Sequence, residues 1–238
     1  RYIPSFGKII GRVEYGLYRR YSVDESVFQT IAVLAEIERG DAAERHPIAS
    51  AIMAAAKDRA AFYVAALLHE TIWSMRDGSI DACEKLIVRI ARRLGLGADD
   101  ASRAGWAAAR HMMMMRTAER RNLSEPLAVA RFAEAVGEQR RLDMLLVLSV
   151  CHLRTVGASS WDEWTRRRIT ELYQAASAWI DGGEAGVLAR FAERAAAARS
   201  AARDRLAHWN EGEGEAFLSR LNDEMFRAFD ADMLVRIA

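Results

Sequence analysis

Apolar residues recur at intervals of three and four positions along most of the chain, and this spacing favours helices over any other element. Val27, Ile31 and Leu34 give one example. The composition is rich in Ala, Leu, Arg and Glu, which are strong helix formers. No stretch alternates apolar and polar residues as a half-buried strand does, and no proline follows Pro126. The sequence therefore predicts an all-α fold.

Caps and helix breakers predict where the helices begin and end. Asp24 can cap the first helix, and Pro47 and Pro126 each suit the first turn of a later one. Ser159 and Asp162 have the spacing of a capping box. The predicted helices are 24–39, one from 47, 59–74, 79–94, 101–115, one from 126, 139–154, one from 162, one that follows Gly182-Gly183 and ends near 209, and a last short pair.

The chain of 238 residues, 51% of them apolar, is long enough for one large domain or two small ones. Gly182-Gly183 is the best candidate for a boundary. We therefore expect a helical domain at 1–181, with an entry segment at 1–20, and a helical extension at 182–238. Segment 192–202 has few large apolar residues, so the extension is expected to pack on the first domain or against a missing one.

Charge, hydropathy and cysteine content narrow the classes of function. A net charge of +1 argues against a sequence-blind nucleic-acid binder. The longest apolar run, 144–153, is shorter than the ~20 residues that span a bilayer. Two cysteines and no signal peptide predict a reducing cytoplasm. Because the chain starts at Arg1 rather than Met, we expect a segment of a longer protein.

Three of the five histidines, His69, His111 and His152, lie among apolar residues on predicted helices. A titratable side chain on an apolar face is costly unless it is paired, so each histidine taken alone fits a hydrogen-bonded core residue. Three such residues on separate helices of one bundle also fit a shared metal site. Imidazole and carboxylate ligands suit Zn, Mn or Fe. The sequence leaves both interpretations open.

Arginines supply the other candidate chemistry. Arg116, Arg120 and Arg121 follow a predicted helix end, where they fit either a solvated charge cluster or a phosphate clamp. The run 112–115, four methionines, is more typical of core packing than of a metal site. The sequence contains no glycine-rich phosphate loop, no CxxC motif and no nucleophile elbow.

Several stretches resemble the HD-domain region of the bifunctional PII uridylyltransferase/uridylyl-removing enzymes, and the resemblance covers nearly the whole chain. The most specific one is 116–126, which reads Arg-Thr-Ala-Glu-Arg-Arg-Asn-Leu-Ser-Glu-Pro. The others are Tyr21-Ser-Val-Asp-Glu25, His46-Pro-Ile-Ala-Ser50, Ala65-Ala-Leu-Leu-His69, the strip 148–161, the opening Ile3-Pro-Ser-Phe-Gly7 and the tail around Ala207-His-Trp209.

This resemblance implies an HD-type helical bundle followed by a C-terminal helical extension. It also implies flanking domains: a nucleotidyltransferase domain before this region and two glutamine-sensing ACT domains after it. The first attaches UMP to a tyrosine of a PII-type regulatory protein, and the HD domain removes it by hydrolysing the phosphodiester. Such hydrolysis is metal-assisted, because a bound ion lowers the pKa of water and offsets charge on phosphate oxygens.

The ligand set is where this sequence departs from the family pattern. Ser26 and Ser79 stand where the family usually has histidine, and Trp73 stands where it usually has lysine. Glu70 replaces the aspartate of the His-Asp pair, and His152 replaces the last metal-binding aspartate. His69 and His111 are retained. The resemblance therefore leaves one residual donor set, which is His69, Glu70, His111 and His152.

Three hypotheses follow. In the first, the chain is an HD region with impaired hydrolysis and no required cofactor, and it couples a transferase domain to glutamine sensors. In the second, it is an active metal phosphohydrolase that uses the residual donor set with Mn, Fe or Zn, and Arg116 and Arg154 meet the phosphate. In the third, it is a non-catalytic helical interaction scaffold. None of the three predicts a nucleic-acid or membrane partner.

Overall fold

A computed structural model of the chain describes residues 3–13, 21–75, 79–157, 161–209, 212–229 and 231–237. Within these ranges the chain forms helices, turns and connecting segments without any strand. The prediction of an all-α fold is confirmed. No helix in the described part of the chain combines the length and the apolar character that crossing a membrane requires.

Thirteen α-helices lie within the described ranges, and a 3-10 helix, His69–Ser74, follows the fourth of them. The first seven α-helices are α1 (Pro4–Gly7), α2 (Val23–Glu38), α3 (Pro47–Ala55), α4 (Arg59–Leu68), α5 (Ile80–Arg93), α6 (Ala98–Ala109) and α7 (Met113–Arg120). The others are α8 (Pro126–Val136), α9 (Gln139–Val156), α10 (Glu163–Arg205), α11 (Glu213–Arg220), α12 (Asp223–Ala228) and α13 (Ala231–Ile237).

The chain divides into two units of dense internal contact. Unit 1 comprises Arg1–Glu119 and Glu138–Thr170, and unit 2 comprises Arg120–Gly137 and Glu171–Ala238. The domain boundary expected between residues 181 and 182 stays a prediction. Gly183 interrupts the helical dihedral angles of α10, with φ 59° and ψ −146°, a conformation that glycine adopts without strain.

In unit 1 the apolar helix α9 packs against α2 and α6, and α4 packs against both of these neighbours. The residues of α9 from Met144 to Leu148 are all buried, as a helix that is apolar on several faces requires. Helices α5 and α6 approach closely at Gly105, where a Cβ atom would lie 2.5 Å from Cγ2 of Val88. The core of unit 1 therefore surrounds the last turns of α9, where His152 lies.

Unit 2 has an apolar core in two clusters. One joins α8 to α10 through Val129, Ala175, Val187 and Phe191. The other joins the end of α10 to the C-terminal helices through Ala202, Leu206, Leu218, Phe226, Ala231 and Leu234. Charged pairs such as Arg203 with Glu215 lie on its surface.

Several predicted helix ends differ from the structure. The helix expected at 101–115 ends at Ala109, and a turn at 110–112 separates it from α7. The α-helix expected at 59–74 ends at Leu68, and a 3-10 helix continues from His69. The expected last pair is three helices, α11 to α13. Ser159 of the proposed capping box lies outside the described residues, while Asp162 accepts a hydrogen bond from the Thr165 amide at 2.7 Å.

Candidate metal centre

Three different segments of unit 1 carry the histidines that the sequence singled out. His69 opens the 3-10 helix, His111 lies in the turn between α6 and α7, and His152 lies on α9. All four predicted donors are buried, with exposures of 0% for His69 and Glu70, 6% for His111 and 2% for His152. The expectation that each histidine lies on an α-helix is therefore wrong for His69 and His111.

The two histidines that end their helices make the same local contact. Nδ1 of His69 lies 2.6 Å from the carbonyl oxygen of Ala66, and Nδ1 of His111 lies 3.0 Å from that of Ala108. A carbonyl oxygen only accepts, so in both rings Nδ1 carries the proton and donates it. Backbone carbonyls orient metal-binding histidines in this way and leave Nε2 as the donor atom for an ion.

The three imidazole rings form a compact cluster. Their centroids lie 5.0 Å apart for His69 and His111, 5.2 Å for His69 and His152, and 4.9 Å for His111 and His152. Nε2 of His69 lies 3.2 Å from Nδ1 of His152. With both rings neutral, His152 Nδ1 donates to His69 Nε2; these two nitrogens are also the atoms that would hold a divalent ion.

Glu70 supplies the carboxyl group of the cluster. Its Oε1 lies 3.6 Å from Nε2 of His69 and 3.8 Å from Nδ1 of His152. A carboxylate with no exposure to solvent is costly unless a proton, a cationic partner or a metal ion offsets its charge. The two imidazoles place it where any of these three can do so.

The donor spacing tests whether a metal ion fits. Ligand atoms of His69, Glu70 and His152 all lie within 4.8 Å of one another. With metal–ligand bonds of about 2.0–2.1 Å, tetrahedral geometry separates two ligand atoms by about 3.3–3.4 Å. The observed nitrogen separation of 3.2 Å agrees with this value, and the carboxylate oxygen needs to move by a few tenths of an ångström. These residues form a cluster that fits a divalent ion.

Comparison with known proteins gives the cluster its context. The chain is 32% identical to the bifunctional uridylyltransferase/uridylyl-removing enzyme of Ruegeria pomeroyi over 238 residues, which is 100% of the chain and 26% of that enzyme. Over its full length, the chain matches a segment of such bifunctional enzymes. Those of Phenylobacterium zucineum and Cereibacter sphaeroides are 36% and 33% identical over 82% and 92% of the chain.

The chain spans about a quarter of the length of these curated relatives, with shares of 26%, 23% and 21%. No protein-family model matches it. No solved structure matches it either. The similarity is therefore to one region of the uridylyltransferase/uridylyl-removing enzymes.

The two serines that, by the resemblance, replace histidines of the uridylyl-removing enzymes have different surroundings. Ser79 caps α5, because its Oγ accepts a hydrogen bond from the amide of Ala82 at 3.3 Å. Ser26 is buried on α2, and its hydroxyl oxygen has no hydrogen-bond partner within the described part of the chain.

Two threonine hydroxyl groups lie between α2 and the backbone of His152. Thr30 Oγ1 donates to the carbonyl oxygen of Ser26 at 2.9 Å and lies 3.4 Å from Oγ1 of Thr155. Thr155 Oγ1 in turn donates to the carbonyl oxygen of His152 at 2.7 Å. The sequence analysis missed both threonines. Their signal was a hydroxyl at an otherwise apolar helix position, one turn from a residue of interest.

The two predicted phosphate-binding arginines lie elsewhere. Arg154 donates from Nη1 to Glu36 Oε2 at 2.9 Å. Two residues along an α-helix rotate the side-chain direction by about 200°, so Arg154 leaves α9 on the side opposite to His152. Arg116 is exposed on α7. The phosphate-binding roles of Arg116 and Arg154 stay predictions.

Proposed function

We propose that this chain is the uridylyl-removing region of a bifunctional enzyme that acts on a PII-type protein, with its metal centre retained and its phosphodiester hydrolysis impaired. One observation carries the proposal: His69, Glu70 and His152 bring their donor atoms together, beside the ring of His111, in the core of unit 1. Flanking nucleotidyltransferase and glutamine-sensing ACT domains, and a cytoplasmic location, belong to the same proposal.

Burial of the centre supports impaired hydrolysis. Structural zinc sites are closed by four protein ligands, whereas catalytic sites keep one position open to water and substrate. His69, Glu70 and His152 supply three ligands, and His111, only 6% exposed, would close the fourth position. A divalent ion held there would supply Lewis acidity and a water of lowered pKa only if that position opened.

Charge supports the same conclusion. By the resemblance, His152 replaces an aspartate, so Glu70 would be the one carboxylate in the donor set. One carboxylate offsets half the charge of a divalent ion, and the three imidazoles bind it without adding negative charge. His69 and His111 would be held by their backbone carbonyls, so their part would be to fix the ion rather than to move protons.

A coupling role follows from how α2 and α9 are held together. The hydroxyl oxygens of Thr30 and Thr155 lie 3.4 Å apart near the centre, and Glu36 accepts a hydrogen bond from Arg154 one to two turns further along α2. Such paired contacts would make this part of unit 1 a rigid module. In the full protein it would transmit a glutamine signal between its neighbours through helix packing.

Metal content tests the centre directly. The 238-residue chain is incubated with Mn, Fe or Zn, free ions are removed, and bound metal per chain is measured. We expect about one ion per chain, and far less in His69→Ala and His152→Ala with an unchanged helical circular dichroism spectrum. His208→Ala is the matched control, because His208 is an exposed histidine of unit 2. A folded wild-type chain without metal would overturn the retained metal centre and would leave the two hypotheses that require no ion, the impaired HD region and the interaction scaffold.

Hydrolysis of a uridylylated PII protein tests the impairment. We expect UMP release no faster than with the metal ion alone. The 3.2 Å separation between His152 Nδ1 and His69 Nε2 also suits a second candidate function, that of an active phosphohydrolase with an altered ligand set. Metal-dependent UMP release that is lost in His69→Ala would establish that candidate and overturn the claim of impairment.

A further inference from the structure

A second polar cluster in unit 1, here called the Glu36 cluster, comprises Glu36, Arg45, His46, Arg154 and Trp161. It brings together the end of α2, the two residues before α3, the end of α9 and Trp161, which lies two residues before α10. The carboxylate of Glu36 bridges two arginines, since Oε1 accepts from Arg45 and Oε2 accepts from Arg154 at 2.9 Å. Because Arg154 and His152 leave α9 on opposite sides, this cluster is separate from the metal centre.

Positive charge exceeds negative charge in the Glu36 cluster. Burial raises the pKa of Glu36, but Arg154 and Arg45 outweigh it and hold this pKa below its ordinary value, so the carboxylate is ionised at neutral pH. His46 is 6% exposed, and burial together with Arg154 and Arg45 lowers its pKa to about 4. Two guanidinium groups therefore face one carboxylate and one neutral imidazole, with Arg166 adding to the positive field at His46.

The two arginines have donors to spare for a second anion. A guanidinium group offers five N–H donors in a planar fork that matches phosphate oxygens. Glu36 uses one nitrogen of each arginine. The Arg45 side chain is 59% exposed and that of Arg154 is 18% exposed, so solvent reaches the cluster from the Arg45 side.

An aromatic ring lies on the His46 side of the cluster. The ring of Trp161 lies 5.4 Å from that of His46, centroid to centroid, at 59°. Trp161 is half-buried. Stacking on an aromatic side chain contributes about 1–3 kcal/mol per base in nucleic-acid complexes.

We propose that the Glu36 cluster binds a nucleoside monophosphate, with Arg45 and Arg154 on the phosphate and Trp161 against the base. The choice of a uridylyl group as the natural form of this ligand rests on the proposed function. The phosphate-binding step rests on the two arginines alone. A chain with a closed metal centre would then bind the uridylyl group without cleaving it.

Calorimetric titration of the chelator-treated chain tests the site. UMP is the probe, and inorganic phosphate and uridine separate the contributions of its two parts. We expect saturable UMP binding, weaker phosphate binding and no detectable uridine binding. Removing one charge-assisted contact in Arg45→Gln or Arg154→Gln should weaken UMP binding about tenfold. Arg39→Gln is the control, because Arg39 pairs with Asp41 on the surface of the same unit.

Two further variants give effects that a merely structural role would not produce. Glu36→Gln removes the competing carboxylate, so it should tighten UMP and phosphate binding several-fold. Trp161→Leu should weaken UMP binding and leave phosphate binding unchanged. Wild-type UMP affinity in both arginine variants, or no saturable UMP binding to the wild type, would overturn the proposal. The protein is metal-free in these titrations. A failure to bind UMP would therefore not count against the metal centre, and a failure to bind metal would not change the UMP titrations.

Discussion

Unit 1 and unit 2 bury different kinds of side chain. Every buried polar or charged residue in the described part of the chain lies in unit 1, including His69, Glu70 and His152. The buried residues of unit 2 are all apolar within the same described ranges, and Phe226 and Leu218 are typical of them. Both units are built from helices that pack through buried apolar side chains, so helix packing alone does not require the buried polar residues of unit 1.

This difference indicates which unit carries chemistry. A buried titratable group costs free energy unless a partner offsets its charge, so a unit that serves only to pack gains little by keeping several of them. Unit 1 keeps a carboxylate and three imidazoles in its core. If the difference is functional, the stability of unit 1 should respond to metal, whereas that of unit 2 should respond only to changes in apolar packing.

The largest expected effect is in unit 2. Phe226→Ala removes a fully buried ring from the cluster of Leu206, Leu218 and Leu234, and should lower the local free energy of unfolding by about 3–5 kcal/mol. Hydrogen exchange with peptide resolution measures this for each unit. The control is Phe28→Ala, since Phe28 is 56% exposed. Unchanged exchange in unit 2 would show that this core contributes little.

Metal should stabilise unit 1 next most strongly. At a free ion concentration about 100 times Kd, binding to the folded state adds about 2.7 kcal/mol. Exchange should slow in peptides that contain His69 and His152 and stay unchanged in unit 2. Glu70→Gln should abolish this gain, because it removes the carboxylate ligand of the centre. Equal protection of both units by metal would contradict the comparison.

The third prediction concerns the bend in α10. A Cβ atom on Gly186 would lie 2.2 Å from the carbonyl oxygen of Ala178, a backbone atom that cannot move independently. Gly186→Ala should therefore destabilise unit 2 by about 1–3 kcal/mol in urea unfolding. Gly182→Ala is the matched control, because nothing lies within 4 Å of its position. If Gly186→Ala left the stability in urea unchanged, the two parts of α10 would have to separate easily.

The helical fold was predictable because its signals are local: apolar spacing, Pro47 and Pro126 in first turns, and glycine at the bend. The interruption at His111 was not, since no glycine or proline marks it. There Nδ1 of His111 donates to the carbonyl oxygen of Ala108, and no local sequence signal announces this contact. Likewise, the sequence could nominate His69 and His152 singly, but their 3.2 Å contact depends on how α4 and α9 pack.

The smallest expected effect separates a structural serine from a metal-linked one. Ser79→Ala removes the cap of α5 and should cost about 0.5–1 kcal/mol of unit 1 stability, with bound metal unchanged. Ser79→Asp, which keeps an accepting oxygen, should retain most of this stability. Urea unfolding and metal analysis of both variants give the two readouts. Lower metal content in Ser79→Ala at wild-type stability would place Ser79 in the metal centre. The polar features of unit 1 would then extend beyond the four buried donors.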